Sequence, residues 1–222
     1  MDYATSALAI ERFDRRAVEY REKVANVTRY DDMNALFCDL LPQGGQVLDA
    51  ACGPGNITKF LLARRPDLHV LGIDLAPRMI EVASVENPSA EFLVRDCRDL
   101  RGLGRRFHGI VCAFGFPYLS AAEVDAFIAD AGATLHDGGI LYFSTVDGPT
   151  EASGVVKVSF GDRIYFHYHP EVRLLQQLDE RVFEIVDVRH RNTPGPDGTT
   201  APDLLVVARR RQRSTGRTVA TV

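Results

Sequence analysis

The sequence lacks the features that would indicate a membrane, secreted or nucleic-acid-binding protein. No apolar run approaches the roughly 20 residues that a transmembrane helix needs. The N-terminal stretch MDYATSALAIERFDRR lacks the basic-then-apolar pattern of a signal peptide. The formal net charge of −4 gives no general attraction to nucleic acid, and there is no basic domain or zinc motif. We therefore expect a cytoplasmic protein without a membrane or nucleic-acid partner.

The cysteines are few and lack the spacing of a redox or metal site. Cys38, Cys52, Cys97 and Cys112 are scattered without a C-x-x-C pair. A reactive thiol would need an electropositive cluster, which the sequence does not supply. We expect free, buried thiols and no metal site.

Size and composition favour one α/β domain with a small appendage. The 222 residues are 45% hydrophobic and 25% charged, which is ordinary for a globular chain. Only three of the 26 basic residues are lysine, at positions 23, 59 and 157. This bias is typical of a high-GC bacterial genome.

Residues 8–41 repeat apolar side chains at helical spacing, so the sequence predicts a helical N-terminal segment over residues 1–42. Pro42-Gln43-Gly44-Gly45 ends it. From Gln46 onward, short apolar runs alternate with amphipathic stretches, as in a parallel sheet with helical crossovers. The predicted strands are Gln46–Ala51, His69–Asp74, Glu91–Arg95, Gly109–Phe114 and Ile140–Thr145, with helices near residues 56–65, 77–86 and 121–135.

The regular alternation stops after Pro149. Val155–Phe160 and Arg163–His169 predict a small β-hairpin insertion over about residues 153–170, followed by a helix at 171–181. Glu184–Arg189 and Asp203–Arg209 flank a turn-rich segment and predict an antiparallel pair at one sheet edge. The core is thus expected over residues 43–209, followed by a flexible basic tail over 210–222.

A glycine-rich turn after the first strand carries the chemistry. Gly53 and Gly55 permit a tight turn and close approach of a ligand, and the helix that follows presents unpaired N–H groups. Asp74 stands 21 residues after Gly53, at the end of the second strand, where a carboxylate can accept both hydroxyl protons of a ribose. The spacing predicts a nucleoside-containing ligand.

Two kinds of nucleoside cofactor compete for this turn. The dinucleotide fingerprint G-x-G-x-x-G needs a third glycine where this chain has Thr58. Asp49 places a carboxylate beside the turn, which suits the ammonium group of an amino acid better than a pyrophosphate. The pattern favours S-adenosylmethionine over NAD(P).

Together these motifs resemble class I S-adenosylmethionine-dependent methyltransferases. The resemblance covers roughly residues 40–150 and rests on Asp49-x-x-x-Gly53-x-Gly55, on Asp74-Leu75-Ala-Pro-x-Met79, and on Asp96 after the third strand. It implies a Rossmann-like, doubly wound, seven-stranded sheet with the last strand antiparallel. The N-terminal helices would form a lid that shields the cofactor from water.

The resemblance also implies roles for individual residues. Gly53 and Gly55 would line the methionine end and Asp74 would bind the ribose. Met79 would pack on the adenine. The other expected cofactor contacts are Tyr20 from the lid, Ala51, Leu75, Asp96 at the adenine amino group, Cys97 through its backbone, and Ala113 and Phe114 at the end of the fourth strand.

The acceptor is expected to be a small molecule. Enzymes of this family that methylate amino groups of DNA or protein often carry Asn/Asp-Pro-Pro-Tyr after the fourth strand, whereas this chain reads Ala113-Phe-Gly-Phe-Pro-Tyr118. We expect O-, N- or C-methylation of a natural product, metabolite or xenobiotic, as in bacterial secondary metabolism. The residues predicted to contact the acceptor are Phe13, Tyr30, Phe116, Tyr118 and Tyr165.

A catalytic base is predicted from the segment Arg163–His169. Strand alternation places Tyr165, His167 and His169 on one face, which we expect to turn towards the cleft. Imidazole, with an ordinary pKa near ~6.5, can accept a proton at neutral pH. A pair of surface histidines is the alternative. Two other functions also stay open: an NAD(P)-binding oxidoreductase and a non-methylating S-adenosylmethionine-binding protein.

Overall fold

A computed structural model describes residues 3–25, 27–157, 161–180, 182–194 and 200–212. The predicted alternation of strands and helices produces a seven-stranded sheet in the order β3-β2-β1-β4-β5-β9-β8. Its strands are β1 (Gln46–Ala50), β2 (His69–Asp74), β3 (Glu91–Val94), β4 (Phe107–Ala113), β5 (Leu135–Val146), β8 (Phe183–Pro194) and β9 (Thr200–Arg210).

The strand directions confirm the predicted fold class. Strands β1 to β5 pair in parallel, whereas β9 lies antiparallel to both β5 and β8. The chain order reverses between β1 and β4, so the connections leaving these two strands pass to opposite faces of the sheet. A crevice at the carboxyl ends of the strands is expected at such a switch point, and it is where ligands bind in open α/β sheets.

Helices cover both faces of this sheet. They are α1 (Tyr3–Arg15), α2 (Ala17–Val24), α3 (Asp31–Asp39), α4 (Asn56–Arg64), α5 (Pro77–Glu86), α6 (Ala121–Thr134) and α7 (Glu171–Glu180). One core cluster joins Phe127 of α6 and Leu174 of α7 to the sheet, and a second joins Phe37 of α3 and Leu61 of α4 to the opposite face. No helix in the described ranges combines the length and apolar character needed to cross a membrane.

The N-terminal segment divides into two parts. Met33, Phe37 and Cys38 of α3 are fully buried in the second core cluster. Residues 31–42 therefore belong to the core and not to a lid, because their apolar face is covered by the sheet. Helices α1 and α2 instead pack on α5, around Ala17 and Met79, and of the N-terminal helices these two extend over the carboxyl ends of the strands.

The predicted insertion is a two-stranded antiparallel hairpin of β6 (Gly154–Lys157) and β7 (Arg163–Phe166). Residues 158–160 of the first predicted strand lie outside the described residues. Strand β7 ends at Phe166, not at His169 as predicted. Its last pair is with Gly154, where β6 begins, and the His167 N–H instead donates to the Pro117 carbonyl at 2.8 Å.

The predicted tail begins too early. Arg210 is the last residue of β9, is 7% exposed and forms an ion pair with Asp137. A paired, buried arginine belongs to the core. The later tail residues, 213–222, lie outside the described residues.

Candidate functional site

A cavity of about 1590 Å³ lies at the carboxyl ends of the parallel strands. Its lining includes residues from β1, β2, β4 and β5, from helices α1 and α2, and from the β6–β7 hairpin. Pockets for a single small ligand usually measure about 300–1,000 Å³. The cavity is therefore large enough for two ligands side by side.

The glycine-rich turn lines this cavity. Its two glycines differ in the space that a side chain would have. Gly53 has φ +53°, and a Cβ added there would meet nothing within 4 Å. Gly55 has φ +80°, and an added Cβ would stand 2.6 Å from Nδ2 of Asn87. That amide donates to the Gly55 carbonyl at 3.1 Å. Gly55 is needed for packing, whereas Gly53 leaves open space for a ligand.

Asp49 is buried at the start of the turn, with 1% of its surface exposed. Its Oδ2 accepts hydrogen bonds from the Thr58 N–H at 3.1 Å and from the Thr58 hydroxyl at 2.7 Å. Burial raises the pKa of Asp49 to about 7; the bonds from Thr58 partly offset this effect, and nearby Asp74 adds to it. The dinucleotide fingerprint needs a third glycine at position 58. This chain has a threonine there, which holds the Asp49 carboxylate through two hydrogen bonds.

Asp74 ends β2 beside the same turn. Its Oδ2 accepts the Gly53 N–H and its Oδ1 accepts the Ala76 N–H, both at 2.9 Å. A carboxylate oxygen can accept more than one hydrogen bond, so both oxygens keep capacity towards the cavity. Burial raises the pKa of this carboxyl group, and the three backbone N–H groups around it lower it. These backbone hydrogen bonds fix the orientation of the Asp74 carboxylate, so that it can accept two hydrogen bonds from a ligand in the cavity.

Aromatic side chains from the N-terminal helices form the wall above Asp74. The Phe13 ring lies edge-on to Tyr20, with ring centres 5.6 Å apart, and to Tyr118 at 5.1 Å. Burial and the charge of Asp74 raise the pKa of Tyr20. Met79 is 2% exposed and also lines the cavity. The structure thus brings four predicted contacts together, two from the N-terminal helices and two from the middle of the chain.

Asp96 lines the cavity, but its carboxylate is already engaged. Arg98 donates to both of its oxygens through Nε and Nη2 at 2.6–3.0 Å. Arg98 also donates to Glu123 at 2.8 Å, and Glu123 completes a capping box with Ser120 at the start of α6. The adenine contact of Asp96 stays a prediction. Arg98 and Glu123 were missed; the Arg95–Asp99 charge run is a signal for Arg98, and the Ser120-x-x-Glu123 capping-box spacing is a signal for Glu123.

Two non-glycine residues at the switch point have left-handed backbone conformations. Ala51 follows β1 and Phe114 follows β4, each with φ 55°. Such conformations are costly and cluster at functional sites. The Phe114 N–H donates to both the carbonyl and the hydroxyl of Ser144, each at 3.0 Å. The strained turn is therefore held by the neighbouring strand.

The remaining predicted cofactor contacts also line the cavity: Leu75, Cys97 and Ala113. Of the predicted acceptor contacts, Phe13, Tyr30, Tyr118 and Tyr165 line it, but Phe116 does not. Phe116 is fully buried and stacks on Phe143, with ring centres 4.8 Å apart. Its prediction as an acceptor contact is wrong, because the 3₁₀ turn Phe116–Tyr118 points it into the core.

The two histidines do not face the cleft as predicted. His169 is 2% exposed, with Nε2 2.9 Å from the Phe116 carbonyl. Neither His167 nor His169 is among the described residues that line the cavity. Burial lowers the pKa of both. Because the chain leaves the strand after Phe166, the alternation does not extend to them, and Ile164 and Tyr168 are among the residues that reach the cavity instead.

The cysteines are free thiols, as predicted; Cys97 is partly buried and the other three are buried. Burial raises the thiol pKa of Cys38 to about 11 and that of Cys97 to about 12. These thiols stay protonated at neutral pH.

Comparison with known proteins gives the same assignment as the geometry. A family model described as a methyltransferase domain matches residues 47–139, the segment that carries Asp49, the glycine turn, Asp74 and Asp96. Residues 47–139 therefore form a methyltransferase domain of the class I S-adenosylmethionine-dependent type. The predicted family is thereby confirmed, and S-adenosylmethionine is the cofactor of this family.

Curated members of the methyltransferase family match parts of the chain. It is 37% identical over 71 residues to demethylmenaquinone methyltransferase of Thermotoga maritima, covering 32% of this chain and 31% of that relative. It is 30% identical over 135 residues to the Deinococcus radiodurans enzyme of the same name, covering 59% and 54%. The chain therefore spans about half or less of the length of these relatives.

Solved structures of methyltransferases share the fold over most of the chain. A Burkholderia thailandensis 1,6-didemethyltoxoflavin-N1-methyltransferase, with its acceptor and S-adenosylhomocysteine bound, superposes with a TM-score of 0.70. The match covers 96% of this chain and 91% of that one at 20% identity. At this identity the likeness extends to the fold alone.

Proposed function

We propose that the protein transfers the methyl group of S-adenosylmethionine to a small-molecule acceptor. The observation that carries this proposal is one cavity in which Asp49, the open turn at Gly53 and the fixed carboxylate of Asp74 meet. An ammonium group, a carboxylate and a ribose would each find a complementary group there.

The residues present fit this cofactor. Open space at Gly53 leaves room for the methionine end, and Asp49 lines the same cavity. Asp74 would hold the ribose. Met79 and Leu75, with Asp96 and the backbone of Cys97, would hold the adenine.

When bound, S-adenosylmethionine supplies a methyl group activated by a sulfonium. The chain's own part is to align the acceptor, exclude water and provide an aromatic surface. Phe13, Tyr20 and Tyr118 provide this surface, and aromatic faces attract cations by about 0.5–2 kcal/mol. Helices α1 and α2 with the hairpin would act as the cover.

A small acceptor is supported by the cavity and by the relatives. Beyond the glycine turn, the lining of the cavity includes side chains of α3, β5 and the hairpin, and a compact molecule would fit among them. The named acceptors of the similar proteins, demethylmenaquinone and 1,6-didemethyltoxoflavin, are small molecules. We therefore propose that the methyl acceptor is a bacterial metabolite or natural product and that the protein acts on it in the cytoplasm.

Calorimetry with S-adenosylmethionine, S-adenosylhomocysteine and NADH tests the cofactor, and an acceptor screen coupled to S-adenosylhomocysteine release tests the reaction. We expect binding of the first two ligands and product release with at least one small acceptor. Tight binding of NADH alone would favour an oxidoreductase. Cofactor binding without turnover on any acceptor would favour a non-methylating binding protein.

A further inference from the structure

We propose that Tyr30, Asn34 and Asp203 form the acceptor subsite, and that it selects molecules with an O–H or N–H group on a planar ring. This inference rests on the proposed methyl transfer and names the acceptor class for it. The three residues come from the start of α3 and from β9, and all three line the cavity.

The sheet register places this subsite beside the cofactor. Asp49 of β1 pairs with Val111 of β4, and β5 and β9 follow in order, with Val146 opposite Asp203. Asp203 therefore lies three strand spacings from Asp49, roughly 14 Å across the sheet, and about four residues, roughly 13 Å, further along the strands towards the carboxyl ends of the parallel strands. The Tyr30 ring spans part of this gap, since its centre lies 5.2 Å from that of Phe114. A methyl acceptor bound in this gap would lie next to the cofactor.

The polar groups of the subsite favour a hydrogen-bond donor. The Tyr30 hydroxyl donates to Oδ2 of Asp203 at 2.6 Å, a length typical of a hydroxyl bonded to a carboxylate. Asp203 is only 4% exposed, so its charge lies in a poorly hydrated place. A carboxylate only accepts hydrogen bonds. A negatively charged methyl acceptor would therefore be repelled, whereas one with an O–H or N–H group would be bound.

Asn34 supplies an independent observation. It lines the cavity at 4% exposure, and its Oδ1 has no hydrogen-bond partner within the described part of the chain. Buried polar atoms are nearly always paired, so an unpaired one needs an explanation. Its backbone N–H bonds to the Tyr30 carbonyl at 3.0 Å, which places both residues on one face of α3. A second donor group on the acceptor would satisfy this amide oxygen.

The remaining walls favour a flat ring. The rings of Phe114 and Tyr30 are inclined at 52°, and both residues line the cavity together with Tyr142. Aromatic rings prefer such tilted or offset contacts with other rings. Ser144 fixes the turn at Phe114 through two hydrogen bonds, so the Phe114 wall is rigid.

Matched fragment pairs test the subsite on the full chain saturated with S-adenosylhomocysteine. The probes are 2-naphthol against 2-methoxynaphthalene and indole against 1-methylindole, with affinities measured by ligand-observed NMR titration. We expect the donor of each pair to bind about tenfold more tightly than its methylated partner, as for one well-placed hydrogen bond. Asp203→Asn removes the charged acceptor, and Tyr30→Phe removes a hydroxyl oxygen that can also accept a hydrogen bond, so each should reduce this preference to about twofold or less.

The controls separate this inference from the proposed function. Asp130→Asn changes a carboxylate outside the cavity that pairs with Arg101, and it should keep the full preference. S-adenosylhomocysteine binding is measured first by calorimetry, and its absence in the parent would refute the proposed function itself. Should Asp203→Asn fail to fold, Tyr30→Phe, which removes only a hydroxyl, decides the matter.

Two results would overturn the subsite. One is equal binding within each pair, or no binding of either donor, by the S-adenosylhomocysteine complex of the parent. The other is a donor preference that survives in Asp203→Asn and in Tyr30→Phe while both variants bind S-adenosylhomocysteine normally.

Discussion

Replacing Asp49 by asparagine should abolish the pH dependence of cofactor binding between about pH 5 and pH 7. Asp49 is fully enclosed, and its Oδ2 is held by the backbone and hydroxyl of Thr58. Burial raises its pKa from an ordinary value of 3.8 to about 7. Asparagine keeps the shape of the side chain and removes its titration.

The size of the effect follows from this difference of about 3 pKa units, equivalent to about 4 kcal/mol. Without ligand, the folded chain keeps a proton on Asp49 that the unfolded chain loses above about pH 4. The free energy of unfolding should therefore fall as pH rises towards 7, by up to about 4 kcal/mol from this group.

Cofactor binding should show the opposite trend. The ammonium group of S-adenosylhomocysteine favours the ionised carboxylate, so binding expels the proton. The affinity should rise by up to about tenfold per pH unit until about pH 7 and then level off. At pH 6, about 0.9 proton should be released for each ligand bound.

Calorimetry in two buffers of different ionisation enthalpy measures the number of protons released on ligand binding. Urea denaturation over the same pH range measures the free energy of unfolding. Thr58→Val serves as the matched comparison, because losing the hydroxyl bond should raise the pKa of Asp49 further and move the midpoint to higher pH. The reasoning fails if Asp49→Asn still releases the proton, or if the parent's affinity is flat below pH 7.

Three further changes have defined outcomes. Asp74→Ala should weaken S-adenosylmethionine binding by about 1–3 kcal/mol, since charge-assisted hydrogen bonds are lost; calorimetric affinity equal to that of the parent would contradict the ribose contact. Gly55→Ala should lower the free energy of unfolding by more than the roughly 1 kcal/mol expected for Gly104→Ala. Both glycines have positive φ, but only Gly55 has a neighbour where Cβ would stand, so equal losses in urea titrations would exclude the packing role. Deleting residues 1–24 should leave a cooperative thermal transition with weaker cofactor binding, and unchanged affinity would rule out the cover.

Sequence patterns predicted the parts of the protein that depend on neighbouring residues. The period of the apolar residues indicated β1 to β5 and their helices, because a strand or an amphipathic helix is specified within about ten residues. The turn at Gly53 and Gly55, with Asp74 a strand later, predicted the cofactor site for a similar reason. All of these residues lie at the carboxyl ends of adjacent parallel strands.

Side-chain direction in irregular segments could not be read from the sequence. Phe116 lies in a 3₁₀ turn and His169 beyond the end of β7, so neither follows the two-residue alternation used to orient them. Phe116 stacks on another ring in the core, and its carbonyl oxygen lies within hydrogen-bond distance of His169 Nε2. Their burial depends on contacts with residues far away in the chain.

Short-range periodicity and spacing are enough to predict the fold class, the family and the glycine turn proposed for the cofactor. Which residues meet across the cavity depends instead on the tertiary structure. Tyr30 and Asp203 are 173 positions apart and become partners at 2.6 Å only because β9 is inserted between β5 and β8. Arg98 reaches Glu123 in the same way, through the packing of α6. Such pairings depend on how the elements assemble, and local propensity carries no information about them.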